Sequence, residues 1–179
     1  MPETASSALT PWSNFYVMTG SSAGALTGLM FVVITLVTGV ERARRTRDGI
    51  STFSTPTVAH FGGALLVSAV LSAPWRSLGY PAALLGLAGV CAVVYVVRVW
   101  FLTKRFTGYR PDLEDWVWYT ILPLIAYTAI VVGAIVLLAI PVPALFAVAA
   151  GVMLLIFIGI RNAWDIVTFL AIEGPPNPE

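Results

Sequence analysis

Few side chains in this sequence could carry out proton or ion chemistry within a membrane, and the clearest are His60, Arg98, Arg161 and Asp165. His60 is the single histidine, and an imidazole can relay protons or bind a metal. Arg161 and Asp165 have i,i+4 spacing, which places them on one face of a helix as an ion pair. Ionisable groups inside apolar helices are costly and are by default functional candidates. We expect these residues to form a polar site or gate on the cytoplasmic side.

A purely structural explanation of the same residues stays open. Arginines near the interface can extend their guanidinium groups into the lipid headgroups. Arg161 and Asp165 can belong to an anchoring network that Asn162 and Trp164 extend. His60 can be an interfacial histidine that is hydrogen-bonded to a neighbouring helix.

A second group of candidates forms one stripe along the first apolar segment. Small residues at four-residue spacing allow two helix backbones to approach closely, within the chain or between chains. Hydroxyl groups on the same stripe could line a narrow pore, or they could bond to carbonyls of their own helix. The stripe consists of Gly20, Gly24, Thr27, Gly28, Thr35 and Thr38.

Sequence motifs of known catalytic sites are missing. The chain has no HExxH, no GxSxG, no phosphate-binding loop and no paired carboxylates within an apolar segment. Its single cysteine, Cys91, excludes an intrachain disulfide framework. We therefore predict a protein that is not an enzyme and has neither a metal nor a cofactor of its own.

The amino-acid composition indicates the class of protein in which these residues lie. Of the 179 residues, 58% are hydrophobic and 11% are charged, with a mean hydropathy of +0.87. A soluble domain has about 25% charged residues, so an ordinary soluble globule is excluded. The net charge of +1 gives no basic surface for nucleic acid.

Five segments are long and apolar enough to cross the bilayer as helices, each needing about 20 residues. We predict an all-α, polytopic membrane bundle of five transmembrane helices. The predicted domain spans residues 12–172, after a short extracytoplasmic lead-in at 1–11 and before a flexible cytoplasmic tail at 173–179. The predicted helices are 12–40, 52–75, 81–102, 116–140 and 143–172.

Basic residues predict the orientation of the bundle. Loops on one side carry most of the lysines and arginines, which places the N-terminus outside and the C-terminus in the cytoplasm. The first of these loops can also attract anionic lipid headgroups. Its basic residues are Arg42, Arg44, Arg45 and Arg47.

Aromatic residues agree with that topology, because Trp and Tyr favour the headgroup level. We expect an outer belt that consists of Trp12, Tyr16, Trp75 and Tyr80. Counting along the second helix places His60 one to two turns inside its cytoplasmic end.

Two residues of the fourth helix have local structural interpretations. Pro123 lacks a backbone N–H and should kink the helix, freeing a carbonyl near Tyr119. Glu114 precedes the helix and suits the positive end of its dipole.

Two functions remain open. The first is a homo-oligomeric channel or passive conduit for a small solute or ion, in which several copies multiply the few polar groups of one chain. The second is a non-catalytic subunit or scaffold of a larger membrane complex, with a quinone or haem contact at His60. The expected partners are the bilayer, further copies of the chain and other membrane subunits. The expected location is a cell membrane, and the compact design fits a bacterial inner membrane.

Overall fold

The computed structural model describes residues 5–41, 50–105 and 113–172, and every regular element in these ranges is helical. A short 3-10 turn precedes α2, and a π-helical turn lies between α5 and α6. The α-helices are α1 (Ala5–Leu9), α2 (Ser13–Glu41), α3 (Ile50–Ser72), α4 (Gly79–Arg105), α5 (Leu113–Trp116), α6 (Leu122–Val136) and α7 (Pro141–Ile172).

The predicted fold class is confirmed, because the five predicted helices correspond to α2, α3, α4, the α5–α6 segment and α7. Four described segments are long and apolar enough to cross a membrane, and Pro56–Ser72 of α3 is a shorter apolar stretch. The chain is thus a helical bundle with the length and composition of a multi-pass membrane protein. Its orientation stays a prediction.

Prolines and short connections define the helix ends. Pro11 lies in the 3-10 turn Thr10–Trp12, directly before α2 begins at Ser13. Pro141 opens α7, where its missing N–H would have no intrahelical partner.

The sequence predicts a kink at Pro123, and the structure has an irregular turn close to it. The turn immediately before it, Val117–Ile121, is π-helical, and the N–H of Leu122 bonds to the carbonyl of Val117. A wider turn accommodates a proline ring that would clash with the preceding carbonyls of a regular α-helix.

The bundle is organised around α3 and α7, which pack against each other. In addition, α2 packs on α3, α6 packs on α7, and α4 packs on α6. Glycines allow some of these contacts to be very close. A Cβ atom on Gly133 would lie 2.5 Å from Cγ2 of Val148, and one on Gly151 would lie 2.8 Å from the carbonyl oxygen of Ala126.

Consecutive long helices run in opposite directions. Gly20 of α2 lies beside Ser68 of α3, and Gly24 lies beside Leu65, so the numbering rises along one helix and falls along the other. We call the end at which α2 and α7 begin the outer end, and the opposite end the inner end.

Large apolar side chains cover much of the bundle's surface. The exposed fraction reaches 71% for Ile135, 65% for Leu87 and 61% for Leu29. Such a surface is stable in hydrocarbon and unfavourable in water, as the sequence composition predicts.

Candidate functional site

His60 lies in the core, where it contacts a tyrosine from another helix. Its side chain is 1% exposed, and Nδ1 is 3.0 Å from the hydroxyl oxygen of Tyr127 on α6. Because α3 begins at Ile50, His60 is close to the middle of its helix. The apolar stretch of α3 begins at Pro56, one turn before His60, and the depth of His60 in a membrane stays a prediction.

The bonds of Tyr127 assign the hydrogen on the imidazole. The Tyr127 hydroxyl donates to the carbonyl oxygen of Ala59 at 3.5 Å. A phenol has one hydroxyl proton, so both bonds are satisfied together when Nδ1–H of His60 donates to the Tyr127 oxygen. Nε2 is then an acceptor, and no hydrogen-bond donor among the described residues reaches it.

Asn162 is the second buried polar group at this level of the bundle. Its side chain is fully buried, and neither its amide nitrogen nor its carbonyl oxygen has a hydrogen-bond partner among the described residues. The sequence predicts that Asn162 extends the network of Arg161. The structure instead directs it into the core, because it continues the stripe of α7 that faces α3 through Leu155 and Gly159.

Arg161 forms the predicted ion pair with Asp165 and a second one that was not predicted. Its guanidinium group lies 2.6 Å from a carboxylate oxygen of Glu114, in addition to its contact with Asp165. It also lies 5.6 Å from the ring centre of Trp118, within range of a cation–π contact. Glu114 therefore links α5 to α7, a role beyond the dipole interaction predicted for it. All three charged groups are partly exposed.

The four predicted polar residues do not form one cluster. Arg161 pairs with Asp165, whereas His60 is paired with Tyr127 in the core. Arg98 is exposed on α4 and has no ion pair within the described ranges. A gate built from these residues stays a prediction.

The first two glycines of the stripe on α2 pack against α3. A Cβ atom on Gly20 would lie 3.0 Å from Cβ of Ser68, and one on Gly24 would lie 3.9 Å from Leu65. The hydroxyls of Thr27 and Thr35 donate to carbonyls one turn earlier, at 2.8 Å each. Both hydroxyls thus bond to their own helix, and a pore lined by this stripe stays a prediction.

Gly28 differs from the other stripe glycines, because nothing lies within 4 Å of the position its Cβ would take. It is exposed on the surface of α2 and remains available for contact with another chain. The side chain of Thr38, together with Arg42, Arg44, Arg45 and Arg47, lies outside the described residues.

The prediction that Tyr16 belongs to the outer aromatic belt is wrong. It is fully buried, and its hydroxyl donates to the carbonyl of Leu145 at 3.4 Å. Trp12, Trp75 and Tyr80 remain at the outer end, where Trp75 stacks on Tyr80 with ring centres 6.2 Å apart. Tyr16 differs because its face of α2 is turned toward α7.

A groove of about 350 Å³ lies between α3 and α4, with α6 as its floor. Small residues of α3 and α4 form most of its walls, including Gly62, Gly63 and Gly89. Tyr127 and Tyr95 add the polar groups, and no hydrogen bond of the Tyr95 hydroxyl is found among the described residues. His60 does not line the groove; it lies behind Tyr127.

The lining therefore suits an apolar molecule that carries an oxygen for a tyrosine hydroxyl to bind. Elsewhere in the described ranges, no three His, Cys, Asp or Glu side chains come together as metal ligands.

Comparison of the chain with protein-family models, with curated proteins and with solved structures found no match.

Proposed function

We propose that this protein is a non-catalytic membrane subunit that binds a small lipid-phase molecule of the quinone class in the groove between α3 and α4. The supporting observation is that Tyr95 and Tyr127 line an otherwise apolar groove. Ligand pockets are typically apolar, measure about 300–1,000 Å³ and contain a few polar groups that orient the ligand. The quinone contact expected at His60 thereby passes to Tyr127, whose hydroxyl proton turns from the carbonyl of Ala59 toward the bound ligand.

The chemistry of the groove favours a quinone over a haem. A quinone has a flat apolar ring with carbonyl oxygens that accept hydrogen bonds. Its apolar side chain dissolves in lipid. The groove presents hydroxyl donors, whereas the only imidazole of the chain lies behind Tyr127. An optical spectrum of the purified protein tests the haem alternative, because an axial histidine would produce a Soret band.

Gly62 offers a way to fill the groove without disturbing the fold. It lines the groove, and nothing lies within 4 Å of its Cβ position. Gly28→Leu is the matched control, because Gly28 has the same open space but lies on α2, outside the groove.

The test measures binding of a decyl-benzoquinone and a decyl-naphthoquinone to the full chain in lipid nanodiscs. We expect saturable binding of at least one of them, with affinity reduced at least tenfold by Gly62→Leu and unchanged by Gly28→Leu. Tyr127→Phe and Tyr95→Phe, which keep the rings, should each weaken binding by removing a donor. Equal affinity in the wild type and in Gly62→Leu would contradict the proposal.

The homo-oligomeric conduit is the second candidate, and Gly28 is the observation that favours it. An exposed glycine beside the exposed side chains of Leu29, Phe31 and Val32 gives a surface on which a second copy could pack closely. We expect native mass measurement in co-extracted lipid to detect a ring of three or more copies. Gly28→Leu should disrupt that ring, and Gly62→Leu serves as its control; a monomer, or a complex with another protein, would reject the conduit.

A further inference from the structure

Three polar atoms in the core have no hydrogen-bond partner among the residues that the structure describes, and they belong to facing helices. They are Nε2 of His60 on α3 and both amide atoms of Asn162 on α7. The two side chains are 1% and 0% exposed. Buried polar groups are hydrogen-bonded in nearly all proteins, so each of these atoms needs a partner that the described residues do not supply.

Helix contacts place the two side chains at the same level. Phe61 touches the Cβ position of Gly159, and Leu155 touches that of Gly63, so His60 of α3 is level with Gly159 of α7. Asn162 follows Gly159 by one turn, roughly 4.5 Å toward the inner end. Side chains lean toward the N-terminus of their own helix. Because α3 and α7 are antiparallel, the imidazole and the amide lean toward each other.

The free atoms are complementary to a water molecule. Nε2 of His60 accepts a hydrogen bond, and the Asn162 amide both donates and accepts. A water molecule can donate to Nε2 and accept from the Asn162 nitrogen, and buried waters typically make about three hydrogen bonds. Neither His60 nor Asn162 lines the groove, so a larger ligand has no described space here.

We propose that a water molecule bridges Asn162 and His60, and that this bridge forms a proton path from the inner end of the bundle to the groove. Asp165 is partly exposed and lies one turn beyond Asn162, which brings the path to the aqueous side. At the other end, Nδ1 of His60 contacts Tyr127, and Tyr127 lines the groove.

Each step of the path conserves protons. The bridging water gives a proton to Nε2 while Nδ1–H gives one to the Tyr127 oxygen, whose own hydroxyl proton passes to an oxygen of the groove ligand. That oxygen is an anion after a redox subunit of the same membrane complex has added two electrons to the ligand. His60 and Tyr127 keep their proton counts, and water at the inner end restores the proton of the bridge. The use of the path rests on the proposed function, because a groove ligand must accept the proton.

The single histidine of the chain makes a direct test possible. With ¹⁵N- and ¹³C-labelled histidine, solid-state NMR of the full protein in nanodiscs gives one imidazole spectrum. We expect magnetisation transfer from water to the ring protons of His60, a protonated Nδ1 and an unprotonated Nε2. Absence of water transfer in the wild type would overturn the proposal without any variant.

Asn162→Leu removes one side of the bridge at similar size. We expect the water transfer to fall at least fivefold in this variant and to stay unchanged in Ser68→Ala, which alters a buried polar group near the outer end. Tyr127→Phe should preserve the transfer, because it lies beyond the bridge. Equal transfer in Asn162→Leu and the wild type would overturn the proposal.

Quinone binding in the same samples separates the two proposals. Binding without water transfer would overturn the bridge and leave the groove as a binding site. Water transfer without binding would overturn the proposed function and the use of the path, and would leave Asn162 and His60 as a hydrated site.

Discussion

Buried polar groups in the outer and inner halves of the bundle differ in whether they have hydrogen-bond partners among the described residues. In the outer half, the hydroxyls of Thr19 and Ser68 lie 3.0 Å apart and bond to each other, and Thr19 also donates to the carbonyl of Phe15. In the inner half, Nε2 of His60 and the amide of Asn162 have no hydrogen-bond partner within the described ranges. The outer groups complete the packing of α2 on α3. The inner groups retain a capacity to bind that packing does not use, which is typical of a functional site.

Two places in the bundle, one at Gly133 and one at Gly62, differ in how closely their helices approach. Near the outer end, Gly133 of α6 lies so close to α7 that a Cβ atom would be 3.0 Å from the carbonyl oxygen of Ala144. Along the groove, α3 and α4 leave room at Gly62. Gly133 therefore lies in a tightly packed contact, whereas Gly62 lies beside open space in the groove.

The largest expected effect comes from filling the tight contact. Gly133→Leu should reduce the free energy of unfolding by about 3 kcal/mol, because overpacking forces backbone and side chains apart. Gly62→Leu should change it by less than about 0.5 kcal/mol, as expected where nothing is displaced. Denaturant titration of the helical circular dichroism signal in detergent measures both. Similar losses in the two variants would remove the distinction between the tight contact at Gly133 and the open space at Gly62.

An intermediate effect is expected from the buried polar groups. Ser68→Ala should cost about 0.6 kcal/mol, the average for side-chain hydrogen bonds between membrane helices. Asn162→Leu should cost about 1 kcal/mol, because it removes one partner of the proposed bridging water and leaves Nε2 of His60 less well satisfied. The same unfolding titration compares the variants. Unchanged or higher stability in Asn162→Leu would mean that the amide has no partner in the core.

The smallest effect is expected at the exposed ion pairs of the inner end. Arg161 shares its guanidinium group between Glu114 and Asp165, and all three groups are partly exposed. A double-mutant cycle of Arg161→Ala and Asp165→Ala should give a coupling of about 0.5 kcal/mol. The coupling should rise in a Glu114→Gln background, where Asp165 is the remaining partner, and fall at high salt. A coupling that is zero in both backgrounds would refute the pairing.

Local patterns in the sequence were sufficient for much of the architecture. Hydropathy located all five long helices, and their observed ends lie within a few residues of the predicted ones. The spacing of Arg161 and Asp165 predicted their ion pair, and Pro123 predicted a distorted turn. These features depend on interactions within a single helix or on the membrane as solvent, and neither requires knowledge of which helices are neighbours.

Contacts between distant segments decided the candidate site. Tyr127 reaches His60 across 67 positions of sequence, and Glu114 reaches Arg161 across 47. Burial of Tyr16 and Asn162 likewise depends on which face of each helix meets a neighbour. The hydrophobic stripes of membrane helices are weak guides to such faces, because lipid is as apolar as a neighbouring helix.

The sequence by itself therefore determined an all-helical membrane bundle, its helix boundaries and the short list of polar side chains that hydrocarbon would have to accommodate. The tertiary structure alone decided that His60 joins Tyr127 rather than Arg161, that Asn162 faces the core, and that α3 and α4 leave a groove beside the two tyrosines. The physical reason is that hydropathy and spacing act along one helix, whereas the close packing of glycines and the pairing of buried polar groups act between helices.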